Sequence, residues 1–133
     1  QINLWLPLHE VDSRNSFRFY LDYFDRSIAN DSERFAAQDF RGFGNLQPPG
    51  AQVYPRALDL PTGTVHDVKM KEGEVLLFSA AHLHQTLANR TQKVRFSLDF
   101  RFYLEEHLKA GRGALDPDNR SVGLMTEDYR ACG

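Results

Sequence analysis

The chain has 133 residues, of which 41% are hydrophobic, and this is enough apolar material for the core of one globular domain over 1–133. Its formal net charge of −2 excludes the strongly basic surface that binds nucleic acid, and no apolar run is long enough to span a membrane. The single cysteine, Cys132, can form no intrachain disulfide, which suits a reducing cytoplasm.

Two strand-like runs open the chain. Residues from Ile2 to Leu8 and from Phe17 to Phe24 alternate between two faces with the period of a β-strand, and a polar turn cluster at 12–16 separates them. We therefore expect them to pair as neighbouring antiparallel strands. Ser32 is the expected N-cap of a short helix that runs through Gln38.

The middle of the chain combines a long loop with further strands. Prolines and glycines mark Gly42 to Gly63 as a loop, with a short strand at Gln52 to Leu58. Val65 to Met70 is an expected strand, and a tight turn at 71–73 leads into a buried strand from Glu74 to Ser79.

The run from Val94 to Phe102 has one apolar and one polar face. A helical turn is expected after Leu104, ending at Gly111, and 112–133 reads as an irregular tail. Short strands joined by glycine and proline turns predict an all-β fold with minor helix, for which a jelly roll is the best match. The apolar face consists of Val94, Phe96, Leu98, Phe100 and Phe102, and the polar face of Arg95, Ser97, Asp99 and Arg101.

Several side chains in this part of the sequence could form a binding site. His82 and His84 share a face of an extended strand, and Arg95 and Ser97 follow on the polar face of the next strand. An imidazole can hold a metal while the planar fork of an arginine pairs with a carboxylate, so the set suits a metal bridged by a dicarboxylate to Arg95. A histidine of this kind can equally be a surface or core residue.

Other polar positions allow two interpretations each. Asn3 and Trp5 share a face and either line the same interior or serve as plain packing. Asp99 and Arg101 either touch a substrate or form a surface ion pair.

Two segments, INLWLPLHEVDSRNSFRF and GEVLLFSAAHLHQTLANRTQKVRFSLDFRF, resemble the non-haem iron(II)/2-oxoglutarate-dependent oxygenases, particularly the phytanoyl-CoA-hydroxylase-like hydroxylases of small molecules. The resemblance implies a double-stranded β-helix, a cupin-like jelly-roll barrel, and His84 as the distal ligand of Fe(II). It implies that the C5 carboxylate of 2-oxoglutarate binds to Arg95 and Ser97, and we expect the amide of Asn3 to bind 2-oxoglutarate as well. Substrate contacts or support of the metal site then fall to His82, Trp5, Asn89, Asp99 and Arg101.

The sequence departs from this family at the metal. The family holds iron through a His-x-Asp or His-x-Glu motif and the distal histidine, and no such motif occurs in the chain. Two of the three iron ligands are therefore absent, no residue is assigned a catalytic role, and the chain is expected to be the C-terminal portion of a larger oxygenase domain. One alternative stays open, a non-catalytic jelly-roll binding module that keeps the carboxylate anchor. A cupin-like metal protein is disfavoured, because cupins generally draw several histidines from motifs that this sequence lacks. The apolar face of 94–102 is expected to form a homodimer.

Overall fold

The computed structural model describes residues 1–35 and 55–122, and most of the regular structure in them is β-strand. The helix α1 spans Glu105–Lys109, close to the predicted end at Gly111, and a 3₁₀ helix spans Ser32–Arg34. The predicted all-β class with minor helix is therefore confirmed for these residues. The strands are β1 (Ile2–Pro7), β2 (Phe17–Tyr20), β3 (Val65–Asp67), β4 (Leu76–Ser79), β5 (His84–Thr86) and β6 (Ser97–Phe102).

The chain divides into two compact units. Unit 1 comprises Gln1–Arg26 and Thr62–Asp116 and contains the six strands, whereas unit 2 comprises Ser27–Pro61 and Pro117–Gly133. The interpretation of 1–133 as one jelly-roll domain stays a prediction.

Unit 1 holds two antiparallel sheets of three strands each, ordered β4-β1-β6 and β3-β2-β5. The expected pairing of β1 with β2 is wrong, because each is the central strand of its own sheet. The segment that connects β1 to β2 pairs instead with a distant part of the chain. The Val11 and Met70 backbones exchange two hydrogen bonds of 2.9 and 3.0 Å. Within the described residues the two sheets form no closed barrel.

An aromatic core joins the two sheets. Trp5 of β1 packs edge-on against Phe17 of β2 with 4.8 Å between ring centroids, and Phe78 of β4 lies 5.6 Å from Phe17 and 5.2 Å from Phe19. Such pairs contribute about 0.5–1.5 kcal/mol each beyond the area that they bury. The buried hydrophobic cluster consists of Trp5, Val11, Phe17, Phe19, Val68 and Met70.

The two faces of β1 have different surroundings. Asn3, Trp5 and Pro7 are buried, whereas Leu4 and Leu6 on the other face are half-buried. Opposite residues of antiparallel strands project to the same side of the sheet, so the polar face of β6 lies on the inner side with Trp5. The register adds to this inner side Leu76, Phe78, Ser97, Asp99 and Arg101.

The outer faces of the two sheets differ in chemistry. Outside β3-β2-β5, Arg18 donates two hydrogen bonds to the Asp67 carboxylate, which hold the pKa of Asp67 below its usual value, and the Tyr20 hydroxyl donates to Gln85 at 2.6 Å. Outside β4-β1-β6 the side chains are apolar except for Ser79 at the margin, and Leu77 of β4 is 59% exposed. The prediction of a buried strand in this region is wrong on that side, because no described residue covers it.

Hydrogen bonds between 28–32 and 118–122 hold the described part of unit 2 together. Asp118 Oδ2 accepts from the Ile28 N–H at 2.7 Å, and the Asp118 carbonyl accepts from Asn30 Nδ2 at 3.0 Å. Ser32 Oγ accepts from the Arg120 N–H at 2.8 Å. The predicted irregular tail is thus tied down as far as Val122.

Some sequence predictions fall on residues 36–54 and 123–133, outside the described ranges. They are the end of the predicted helix at Gln38, most of the loop from Gly42 to Gly63, the start of the strand from Gln52 to Leu58, and the rest of the tail. No helix in the described ranges combines the length and apolarity that crossing a bilayer requires.

Candidate functional site

His84 lies on the inner side of the sheet that contains β5. It is paired with Phe19 of β2, whose side chain is buried in the core, and paired residues share a side. The imidazole lies 5.1 Å from the Phe78 ring of the other sheet and 6.1 Å from Phe17, measured between centroids. His84 is nevertheless solvent-exposed, so its ring stands at the accessible rim of the core.

A backbone hydrogen bond fixes the orientation of this imidazole. His84 Nδ1 lies 2.8 Å from the His82 carbonyl oxygen, and a carbonyl only accepts hydrogen bonds. In neutral His84 the proton is therefore on Nδ1, and Nε2 keeps its lone pair. Metal-binding histidines are commonly held in this way, with the second nitrogen donating to a carbonyl.

His82 packs against the aromatic core next to His84. Its Nε2 lies 3.2 Å from the Tyr20 carbonyl, and its ring packs against Phe19 and Phe24 at centroid distances of 5.0 and 5.6 Å. The half-buried side chain thereby fixes the backbone whose carbonyl orients His84. The role of His82, which the sequence analysis leaves between substrate contact and support of the metal site, stays a prediction.

Arg95 lies just before β6, and its guanidinium points toward the inner side. Nη1 donates to the carbonyls of Asn15 and Ser16 at 3.1 and 3.4 Å, and the guanidinium carbon lies 6.0 Å from the centroid of the Trp5 ring. In the described parts of the chain nothing accepts a hydrogen bond from Nε or Nη2. One edge of the fork is thus anchored and the other is available to a ligand.

The inner face of β6 continues from Arg95 with Ser97, opposite Pro7 of β1. Ser97 is half-buried. Further along the strand, Asp99 and Arg101 form an ion pair of 3.8 Å whose side chains are 49% and 38% exposed. This geometry favours the surface ion-pair interpretation of these two residues.

Asn3 and Trp5 form the floor of the inner face. Both are buried, and Asn3 Oδ1 accepts a hydrogen bond from Gln1 Nε2 at 2.9 Å. Trp5 contacts Phe17 on one side and Arg95 on the other, so it belongs to the core and also supports the guanidinium.

Asn89 shapes the loop that carries Arg95. Its Nδ2 donates to the Lys93 carbonyl at 2.8 Å, and its Oδ1 accepts from both the backbone N–H and the hydroxyl of Thr91. The loop borders an open cleft of about 620 Å³ beside Arg95. Other residues that line the cleft are Asn15, Thr86, Asn89, Lys93 and Val94.

The sequence analysis did not anticipate the part played by the turn before β2. The carbonyls of Asn15 and Ser16 hold Arg95 across a separation of about 80 residues. Ser16 is fully buried, and its Oγ has no hydrogen-bond partner among residues 1–35 and 55–122. Asp12 organises this turn, because its carbonyl accepts from the Asn15 and Ser16 N–H groups. The turn itself was readable from its polar residues, but its distant partner was not.

His84 and Arg95 are connected through rings rather than by direct contact. The Arg95 guanidinium lies over Trp5, Trp5 packs on Phe17, and Phe17 lies 6.1 Å from His84. Both polar groups therefore belong to the inner side of unit 1, with aromatic side chains along the path between them.

The described residues do not supply a complete set of iron ligands. No cluster of three or more histidine, cysteine, aspartate or glutamate side chains suited to a metal ion occurs within 1–35 and 55–122. His9 is not a substitute, because Nε2 accepts from the Phe96 N–H and Nδ1 contacts the Glu10 carbonyl. His84 alone does not form the facial triad that non-haem iron requires.

Comparison of the chain with family models, curated proteins and solved structures finds no match. The function is therefore argued from the residues and their geometry.

Proposed function

We propose that this chain provides the 2-oxoglutarate-binding side of an Fe(II)/2-oxoglutarate-dependent oxygenase that hydroxylates a small molecule. In this proposal Arg95 and Ser97 bind the distal carboxylate of 2-oxoglutarate, and His84 is one of the three iron ligands. The proposal rests on the guanidinium of Arg95, which is hydrogen-bonded to the backbone along one edge and available to a ligand along the other. It lies on the inner side of the two sheets, as His84 does.

The hydrogen bonding of the Arg95 guanidinium leaves it suited to bind a carboxylate. An arginine fork pairs with a carboxylate through two parallel hydrogen bonds, and the Nε and Nη2 edge is the one that the described residues leave available. Ser97 follows on the same face of β6 and can donate a third hydrogen bond. Trp5 below the guanidinium limits its movement, so less freedom is lost when a ligand binds.

The state of His84 suits a metal ligand. Its lone pair is on Nε2 because Nδ1 donates to the His82 carbonyl, and the ring is accessible at the rim of the core. The described residues do not hold iron by themselves, so the proposal requires two further ligands from outside 1–35 and 55–122. We extend the proposal to the double-stranded β-helix fold and to a cytoplasmic location.

A second candidate function is a binding module for a dicarboxylate that holds no metal. It is favoured by the absence of a three-ligand cluster from the described ranges. Arg95 and Ser97 serve the same purpose in both candidates.

Calorimetric titration with 2-oxoglutarate tests the carboxylate site that the two candidates share. We expect the native chain to bind 2-oxoglutarate, and Arg95→Ala to raise the dissociation constant about 10- to 100-fold, the usual effect of losing hydrogen bonds to a charged group. Arg95→Lys keeps the charge but lacks the fork, so it should recover only part of the affinity. Arg90→Ala, an exposed residue of the same loop, is the matched control.

Anaerobic addition of Fe(II) together with 2-oxoglutarate separates the two candidates. A visible charge-transfer band that is lost in His84→Ala supports the oxygenase, whereas 2-oxoglutarate binding without a band supports the metal-free module. If the native chain binds no 2-oxoglutarate with or without Fe(II), both candidates are wrong.

A further inference from the structure

The outer side of the β4-β1-β6 sheet is a continuous apolar surface. It extends the apolar face of 94–102 across β1 and β4 and leaves out Val94, which lies before the paired residues. From here on, the apolar face means this whole surface. Its strands alternate regularly, so every residue opposite an outward side chain of β1 also points outward. The backbone hydrogen bond from the Leu8 N–H to the Phe96 carbonyl extends this pairing by one step. The apolar face consists of Ile2, Leu4, Leu6, Leu8, Val75, Leu77, Phe96, Leu98, Phe100 and Phe102.

Several large side chains of the apolar face are open to solvent. Phe96 is 61% exposed, Leu77 59%, Phe100 52% and Leu8 48%. By contrast, the outer face of the β3-β2-β5 sheet carries the Arg18–Asp67 ion pair and the Tyr20–Gln85 hydrogen bond. The outer face of β3-β2-β5 thus carries polar side chains that suit contact with solvent, whereas the apolar face carries none of these pairs.

The area of the apolar face matches that of a protein interface. With about 200 Å² for a fully exposed residue of this size, the exposed fractions leave roughly 800 Å² of apolar surface open. A standard interface buries about 800 Å² on each partner, and monomeric proteins rarely expose an apolar patch larger than a few hundred Å². Burial of the whole patch therefore requires a partner of similar area.

The absence of charge on the apolar face indicates what the partner is. In a two-fold symmetric dimer each side chain near the axis meets its own copy, so a charged residue would face a like charge. Within the described strands the outward positions of this sheet are apolar except for Ser79, which lies at the margin opposite Ile2. Two such sheets can pack face to face at the spacing of a β-sandwich.

We propose that the apolar face is the interface of a symmetric homodimer, in which it packs against the same face of a second copy of this chain. The surface lies on the opposite side of the sheet from Arg95 and Ser97, so the proposal does not depend on the proposed function.

Sedimentation velocity over a hundredfold range of protein concentration tests the dimer. We expect a monomer–dimer equilibrium in the native chain. Phe100→Lys places a like charge on each copy at the centre of the interface and should raise the dissociation constant about a hundredfold or more. Val65→Lys is the matched control: Val65 is also an outward apolar strand residue, 44% exposed, but it lies on the other sheet. Far-UV circular dichroism checks that both variants are folded.

A charge-pair experiment makes the test specific to two-fold contact. Phe100→Lys and Phe100→Glu should each be monomeric alone and should form a heterodimer when mixed. A native chain that stays monomeric at every concentration would overturn the proposal, since another segment must then cover the face. So would a dimer that Val65→Lys weakens and Phe100→Lys does not, or open-ended association without a defined dimer.

Discussion

The turn that leads into β3 gives a sharp prediction for the stability of unit 1. Gly63 has a φ of 99°, a region that side chains other than glycine rarely adopt. A Cβ at this position would lie 1.9 Å from Asp22 Oδ2. That carboxylate oxygen accepts the Thr64 N–H at 2.7 Å, so it cannot move aside without losing this hydrogen bond. Gly63→Ala therefore introduces backbone strain and breaks a contact.

The expected cost can be divided into these two parts. The positive φ costs about 1–2 kcal/mol for a residue with a Cβ. Displacing the carboxylate removes a hydrogen bond to a charged group, which contributes about 1.5–3 kcal/mol. Lower entropy of the unfolded chain offsets about 0.4–1 kcal/mol of the total. We therefore expect Gly63→Ala to lower the free energy of unfolding by roughly 2–4 kcal/mol.

Gly73 is a matched control for the backbone strain. Its φ is 86°, but a Cβ there would have no atom within 4 Å. With the same entropic offset, Gly73→Ala should therefore cost only about 0–1.5 kcal/mol. Urea unfolding followed by the fluorescence of Trp5, the single tryptophan of the chain, measures both variants. If both alanine variants lose the same stability, or if Asp22→Ala destabilises the Gly63→Ala chain as much as it destabilises the native chain, the assigned clash is wrong.

Two further predictions concern the two sheets. Because hydrogen bonds from Arg18 lower the folded-state pKa of Asp67 below its ordinary 3.8, the pair stabilises the fold above about pH 4 and loses this contribution as the pH falls through the lowered pKa. Asp67→Asn should thus be less stable than the native chain near neutral pH, and urea unfolding at decreasing pH should show the gap closing below about pH 4. Trp5→Ala should cost about 3–5 kcal/mol and also weaken 2-oxoglutarate binding, whereas Leu60→Ala, at a residue 90% exposed, should change neither in unfolding and calorimetry experiments.

The alternation of side chains along single strands was readable from the sequence. Asn3 and Trp5 do share the inner side of β1, and the polar residues of β6 do share one side of their strand. Both follow from the two-residue period of a strand, which is local. The pairing of strands is not local. Neighbours in sequence suggested β1 beside β2, but each of these strands pairs with segments at least 45 residues away, as Arg18 with Asp67 and Trp5 with Asp99 show.

The same difference between local and distant information applies to the candidate site. The types of residue that bind a carboxylate or a metal identified Arg95 and His84. The groups that orient them are backbone carbonyls, of Asn15 and Ser16 for Arg95 and of His82 for His84. Every residue has a carbonyl, so nothing in the amino-acid sequence marks these three.

The proposed carboxylate site and the proposed dimer interface lie on opposite sides of the β4-β1-β6 sheet. Because adjacent residues project to opposite sides of a sheet, Arg95 and Ser97 belong to the inner side while Phe100 belongs to the apolar face. Phe100→Lys should therefore abolish the dimer and leave the dissociation constant for 2-oxoglutarate unchanged, whereas Arg95→Ala should weaken 2-oxoglutarate binding and leave the dimer intact. Loss of both properties in Phe100→Lys would mean that the two faces are not independent, and that dimerisation is needed to form the carboxylate site.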